Sequence, residues 1–205
     1  MTILHQIKSS TAFYVFLVAI AVNVLLGCSS APSEIKYYQL NDVTNFAADK
    51  KQLEIDSKEY VQLYGIKVPD YLKQSKLVLR TAPYEIHFSA SNLWVQTPEK
   101  EIRASLLSDL NRQSEQYYFV NYDPLVTTQI QHQLFIDITH FYPTENSDVL
   151  LLGSWKLTSD NGERQDHQFQ FTIELNSDGY AHAVSQQRAI LSRLAEQIVA
   201  QIHVK

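Results

Sequence analysis

Side chains able to do covalent, metal or acid–base chemistry are few in this chain, and their spacing gives catalysis little support. The one cysteine, Cys28, stands in Leu25-Leu26-Gly27-Cys28-Ser29-Ser30, and a lone thiol cannot close an internal disulfide. Gly153-Ser154-Trp155 sets a serine beside a glycine, but it lacks the second glycine of a nucleophile elbow and falls in a strand pattern. Ser154 therefore reads as an ordinary strand serine. His132 and His140 lie on one predicted strand and on one face of it, more than about 25 Å apart if that strand is straight, which is too far to share a metal. His87 and His167 fall on other candidate strands, and all four read as surface or internally satisfied histidines. Five scattered glycines make neither G-x-x-x-x-G-K nor G-x-G-x-x-G, so no phosphate-cradling loop is present. These patterns point away from an enzyme, a metal site and a nucleotide cofactor.

The position of Cys28 has a different explanation. It follows a weakly basic start (His5, Lys8) and an uncharged run from Ala12 to Leu26, with the small residue Gly27 at the junction. That is the layout of a secretory signal, and the run of roughly 15 residues is short of the ~20 that a spanning helix needs. Leu25-Leu26-Gly27-Cys28 resembles a bacterial lipobox. The resemblance implies cleavage before Cys28, diacylglycerol on its thiol and an acyl chain on its new amino group. Several chains suit a stable anchor, because one gives only marginal membrane binding at about 0.8 kcal/mol per buried CH₂. Ser29 is not the aspartate associated with inner-membrane retention, which favours the outer membrane, facing the periplasm.

Composition fits one globular domain: 45% hydrophobic and 19% charged residues over 205 positions. Loss of Lys8 with the signal leaves the mature domain mildly acidic. That balance argues against a nucleic-acid partner, which would want a basic stripe, and against a polybasic contact with anionic lipid. The expected organisation is a signal peptide over 1–27, the acylated cysteine and a short tether over 28–33, and a domain over 34–205. Cys28 to Tyr37 spans about 30 Å when fully extended, so the domain sits close to its membrane.

The elements of that domain follow from periodicity. Ile35 to Leu40 reads as a first strand, Asn41 to Lys58 as a polar segment, and Tyr60 to Val68 as a half-buried strand stopped by Pro69. Lys76 to Arg80 and Tyr84 to Ser89 read as strands around a Thr81-Ala82-Pro83 break. Thr97-Pro98-Glu99-Lys100-Glu101 offers a Thr cap, Pro at the first helical position and acid in the first turn. Ile102, Leu106, Leu107 and Leu110 then share a face, predicting a helix over 98–113. Strands are expected near 133–141, 148–159 and 167–175, the clearest being the alternation of Phe169, Phe171, Ile173 and Leu175, with an Asn161-Gly162 hairpin before it. After Asp178-Gly179, a stripe of Val184, Leu191, Leu194, Ala195, Ile198 and Ile202 predicts a closing helix. The fold class is α+β: one domain with an antiparallel or mixed sheet packed against two helices.

Tyrosines 37, 38, 60, 64, 71 and 84 crowd the first half, with Trp94 before the first helix. Such residues suit protein interfaces and also the inside of an aromatic-rich sheet. Tyr38-Gln39-Leu40, the run Ile66-Lys67-Val68-Pro69-Asp70-Tyr71-Leu72 leading into Leu77-Val78-Leu79-Arg80, and Leu93-Trp94 are followed by Leu134-Phe135-Ile136-Asp137-Ile138, Gly153-Ser154-Trp155-Lys156-Leu157 and Leu194-Ala195-Glu196-Gln197-Ile198. In that order they resemble the ABC-type transport auxiliary lipoproteins, the PqiC- or YmbA-like family. The resemblance implies a non-catalytic outer-membrane lipoprotein that docks on an MCE-domain, periplasm-spanning protein, and through it on an inner-membrane permease, and helps lipid pass between membranes. It implies homo-oligomeric self-association and no cofactor beyond the lipid on Cys28. The docking surface is expected around Val68 to Leu72 and Tyr84 to Trp94, with Pro69, Tyr71 and Trp94 as its residues. Competing readings are a lipoprotein that activates a cell-wall synthase or assists lipopolysaccharide assembly, and a periplasmic hydrolase.

Overall fold

Strand periodicity governs most of this chain, and the structure, a computed structural model, describes residues 34–41, 58–124 and 130–202. Eight strands form one mixed sheet among these residues: β1 (Lys36–Tyr38), β2 (Glu59–Lys67), β3 (Lys76–Ala82), β4 (Glu85–Trp94), β5 (Tyr117–Asn121), β6 (Ile130–Thr144), β7 (Asp148–Ser159) and β8 (Arg164–Glu174). Two helices accompany it, α1 (Pro98–Gln113) and α2 (Tyr180–Gln201), with a 3₁₀ turn at Asp70–Lys73. The α+β class and the two covering helices are as the sequence predicts.

The long strand β6 organises the sheet. Antiparallel β7 lines one edge along its whole length, and β8 pairs antiparallel beyond β7. The other edge of β6 forks. Parallel β2 takes the half from Ile130 to Asp137 and carries parallel β5 outside it, while β3 meets β6 only at Thr144 and leads on to β4 and β1. Between the two branches, Tyr71 of the 3₁₀ turn reaches in, and the Phe141 N–H donates to its hydroxyl at 3.0 Å. Pro143 presents its nitrogen to the same edge, where a missing donor breaks no ladder bond.

A bulge in β6 between Ile138 and His140 reverses the strand's alternation. His132, Leu134, Ile136 and Ile138 face the core, then Phe141 is buried and His140 is exposed. The two histidines therefore do not share a face, contrary to the straight-strand reading, because the inserted residue Thr139 shifts the period of two. Opposite the bulge, Gly153 lets the strands close: a Cβ there would lie 2.2 Å from the Asp137 carbonyl oxygen.

Both helices lie on one face of the sheet, α1 over β2 and β5 and α2 over β6, β7 and β8. Ile102, Leu106 and Leu110 of α1 meet Leu191, Leu194 and Ile198 of α2 over a sheet floor of Leu63, Ile136, Leu151 and Trp155, all fully buried. Each such aliphatic side chain contributes about 1.5–3 kcal/mol by leaving water. Thr97 precedes α1, but its side chain makes no capping bond; its carbonyl accepts the Lys100 N–H at 3.0 Å.

The β7–β8 hairpin turns at Asn161-Gly162 as expected, through a type I turn with Gly162 at φ 87° completing a bulge. Strand β5 and the 3₁₀ turn had no expectation from sequence. Strands β3 and β4 run further than predicted, through Ala82 and to Trp94, so the break falls at Pro83-Tyr84. The polar segment expected after β1 falls mostly at 42–57, and Cys28, the signal and the tether fall at 1–33, all outside the described residues.

Candidate functional site

Pro69 and Tyr71 come from the 3₁₀ turn that follows β2, and Trp94 from the end of β4. Pro69 ends β2 with φ −65° and starts the 3₁₀ turn, its carbonyl accepting the Leu72 N–H at 3.0 Å. The missing donor of proline stops the strand, and its fixed φ suits the turn that follows. That turn aims Tyr71 inward, against Tyr142 at a ring separation of 5.8 Å and onto the core. Burial holds the Tyr71 hydroxyl above its ordinary pKa, the Phe141 amide offsetting part of the effect. Trp94, the last residue of β4, is 3% exposed and belongs to the core, with its backbone N–H on the Ser75 carbonyl at 2.6 Å. Trp94 thus belongs to the framework of the expected docking region, and Tyr71 is half-buried against it.

That surface is supplied by their neighbours. Tyr84 is fully exposed at the tip of the β3–β4 hairpin, and Phe88 is exposed four residues along β4. At the other end of β4, Tyr37 of the edge strand β1 pairs in register with Leu93 and is exposed, as are Ile35 and Val95. Strand β1 is pinned by the Tyr38 hydroxyl, which donates to Asn92 Oδ1 at 3.0 Å, and by the Val95 N–H on the Tyr38 carbonyl at 2.9 Å. Asn41 then bonds both Ser105 and Glu101 of α1, at 2.8 and 3.3 Å. The entry of the chain into the domain is therefore fastened to β4 and α1.

A second concave region, a cleft of about 430 Å³, lies where β2, β5, β6 and β7 meet on the sheet. Tyr64 of β2 and Tyr122 just after β5 form its aromatic wall, their rings edge to face at 5.0 Å. Gln62, Gln133 and Thr158 line it, and His132 lies at its base. His132 is buried, with Nδ1 at 3.0 Å from Ser159 Oγ and Nε2 at 3.3 Å from Glu59 Oε2. Those residue types resemble a hydrolase relay; Ser159 and His132 are both buried, and the trio ties β7, β6 and β2 together. The sequence reading marked Tyr64 among the aromatics and missed Gln62 and Tyr122. The alternation Tyr60-x-Gln62-x-Tyr64, polar groups on a strand whose other face is apolar, was the available signal.

The remaining candidates have structural settings. Ser154 sits mid-strand in β7, His87 is exposed on β4, and His167 stacks on Trp155 at 4.3 Å. Among the described residues no group of His, Cys, Asp or Glu is placed to hold a metal ion, and no helix is long and apolar enough to cross a membrane.

Comparison with known proteins extends over nearly all of this architecture. The family model of the ABC-type transport auxiliary lipoprotein component matches residues 38–199, from β1 into the last turns of α2. The intermembrane transport lipoprotein PqiC of Escherichia coli is 26% identical over 187 residues, covering 91% of this chain and 96% of PqiC, and PqiC of Shigella flexneri matches equally. Among solved structures, an uncharacterized protein superposes with a TM-score of 0.69 at 20% identity, covering 83% of this chain and 99% of that one. A Xanthomonas campestris protein does so with a TM-score of 0.60 at 12% identity, covering 69% and 82%. These two likenesses concern the fold alone. The family match runs from the last residue of β1 through β8 and into the last turn of α2, and the chain belongs to the ABC-type transport auxiliary lipoprotein component family, as an accessory, membrane-associated lipoprotein of a transport system with further components.

Proposed function

We propose that this protein is a non-catalytic lipoprotein, anchored in the outer membrane through diacylglycerol and an N-acyl chain on Cys28 and facing the periplasm, that docks on an MCE-domain protein of an intermembrane lipid transport system. Through that protein it meets an inner-membrane permease, and it works as a homo-oligomer. The observation that carries the reading is the collinear match to PqiC, an intermembrane transport lipoprotein, over 96% of that protein's length. The docking surface is the outer side of the region framed by Pro69, Tyr71 and Trp94, where Tyr84 and Phe88 offer exposed rings on the β3–β4 hairpin.

The test is a mild cross-link in intact cells, followed by capture through a C-terminal tag and identification of the bound proteins. Recovery of an MCE-domain protein with trace permease, abolished by Cys28→Ser together with loss of acyl labelling, is the expected result. Recovery of a cell-wall synthase or a lipopolysaccharide-assembly barrel, with no MCE-domain protein, overturns the reading.

A further inference from the structure

We propose that the cleft between the Tyr64–Tyr122 pair and Gln62, Gln133 and Thr158 binds uncharged sugar units of a glycan. Its size falls within the range of small-ligand sites, at about 430 Å³. The chemistry of its walls selects among ligands. Among the described residues that line it there is no Lys or Arg, and Asp123 and Asp160 are the only carboxylates. A phosphate would find no countercharge there, which disfavours phospholipid head groups and nucleotides. Three glutamines, a threonine and a serine make the lining too polar for an acyl chain.

Planar amides beside aromatic rings are what a sugar needs. Each amide offers two donors and an acceptor oxygen in fixed geometry, matching vicinal hydroxyls, and the ring faces take the C–H side of a pyranose. Gln62 is the most informative residue. It pairs in register with Gln133 across β2 and β6, is only 4% exposed, and lines the cleft. A ligand hydroxyl or acetamido group entering the cleft would meet its amide, which has two donors and an acceptor to offer. Tyr64 and Tyr122, about half exposed at the mouth, are positioned to meet the same ligand. This inference is independent of docking at Tyr84 and Phe88, which lie on another strand pair.

The experiment is saturation-transfer NMR and calorimetry on the full chain in a sugar-free detergent, with chitotetraose and maltotetraose as probes and inorganic phosphate and choline as competitors. The expected result is saturable binding of at least one oligosaccharide, weakened tenfold or more by Tyr122→Ala and by Gln62→Ala and unchanged by Tyr84→Ala. Chitotetraose alone would show that an acetamido group is read; both would show recognition of hydroxyls. Because Gln62 is buried, Tyr122→Ala is the decisive variant, with its melting temperature measured alongside. No oligosaccharide binding, binding that survives Tyr122→Ala in folded protein, or choline or phosphate taking the cleft instead overturns the proposal.

Discussion

The Tyr71 hydroxyl accepts the Phe141 N–H at 3.0 Å in the gap where the sheet forks. On that edge of β6, β2 pairs as far as Asp137 and β3 only at Thr144, so the backbone between them needs a partner from outside the ladder. Pro69 ends β2, the 3₁₀ turn swings the chain, and Tyr71 arrives at the gap. A motif that reads in sequence as a recognition loop is the joint of the fold.

Removal of that hydroxyl isolates the joint. Tyr71→Phe keeps the ring and leaves the Phe141 N–H without its acceptor, a loss expected to cost about 1–3 kcal/mol in a chemical denaturation series. The alkaline limb gives a second readout. Burial raises the pKa of Tyr71 in the folded state, so its neutral form adds stability that is complete below the unfolded value of about 10 and is lost as pH climbs above it. Wild-type stability should fall more steeply above that pH than that of Tyr71→Phe. Equal slopes would mean Tyr71 ionises as freely in the native protein as in the unfolded chain.

Trp94 and Tyr84 sit at opposite ends of the same hairpin strand region and should separate stability from docking. Trp94→Ala removes a core indole and is expected to cost about 3–5 kcal/mol. Tyr84→Ala with Phe88→Ala touches exposed rings and should stay within roughly 1 kcal/mol of wild type while reducing capture of the transport partner. Thermal melting and capture efficiency, measured on the same preparations, decide the matter. A Trp94→Ala protein that melts normally and fails to dock would place the indole at the interface.

Much of the architecture was legible because long periodic segments carry their own evidence. Pro98 and the spacing of Ile102, Leu106 and Leu110 marked α1, and the alternation through Phe169 and Ile173 marked β8. Tyr117–Asn121 was missed because five residues with aromatics on both faces show no clean alternation. The bulge at Thr139 was illegible for another reason: it depends on Gly153 across the ladder, a long-range fit that local periodicity cannot express. For the site, exposure was the hidden variable. Tyrosine and tryptophan suit a core and an interface equally, and only the fold sends Trp94 inward and Tyr84 outward.

The helix pair supplies the last prediction. Asp109 of α1 is fully buried, and Arg188 of α2 grips it with Nη1 at 2.5 Å from Oδ2 and Nη2 at 2.8 Å from Oδ1, while Arg112 adds a contact at 2.6 Å. Paired charges at such a site attract strongly but have already lost their hydration, so the pair as a whole adds little while either member alone is costly. Arg188→Met leaves the carboxylate with Arg112 only and should destabilise by about 3 kcal/mol, the lower end for a broken buried pair. Replacing both, Arg188→Met with Asp109→Leu, should recover most of that loss by exchanging the ion pair for apolar contact between the helices. A double-mutant cycle in denaturant measures the coupling. If the double variant is as unstable as the sum of the singles, the two residues act separately, and the α1–α2 interface is held by its aliphatic stripe alone.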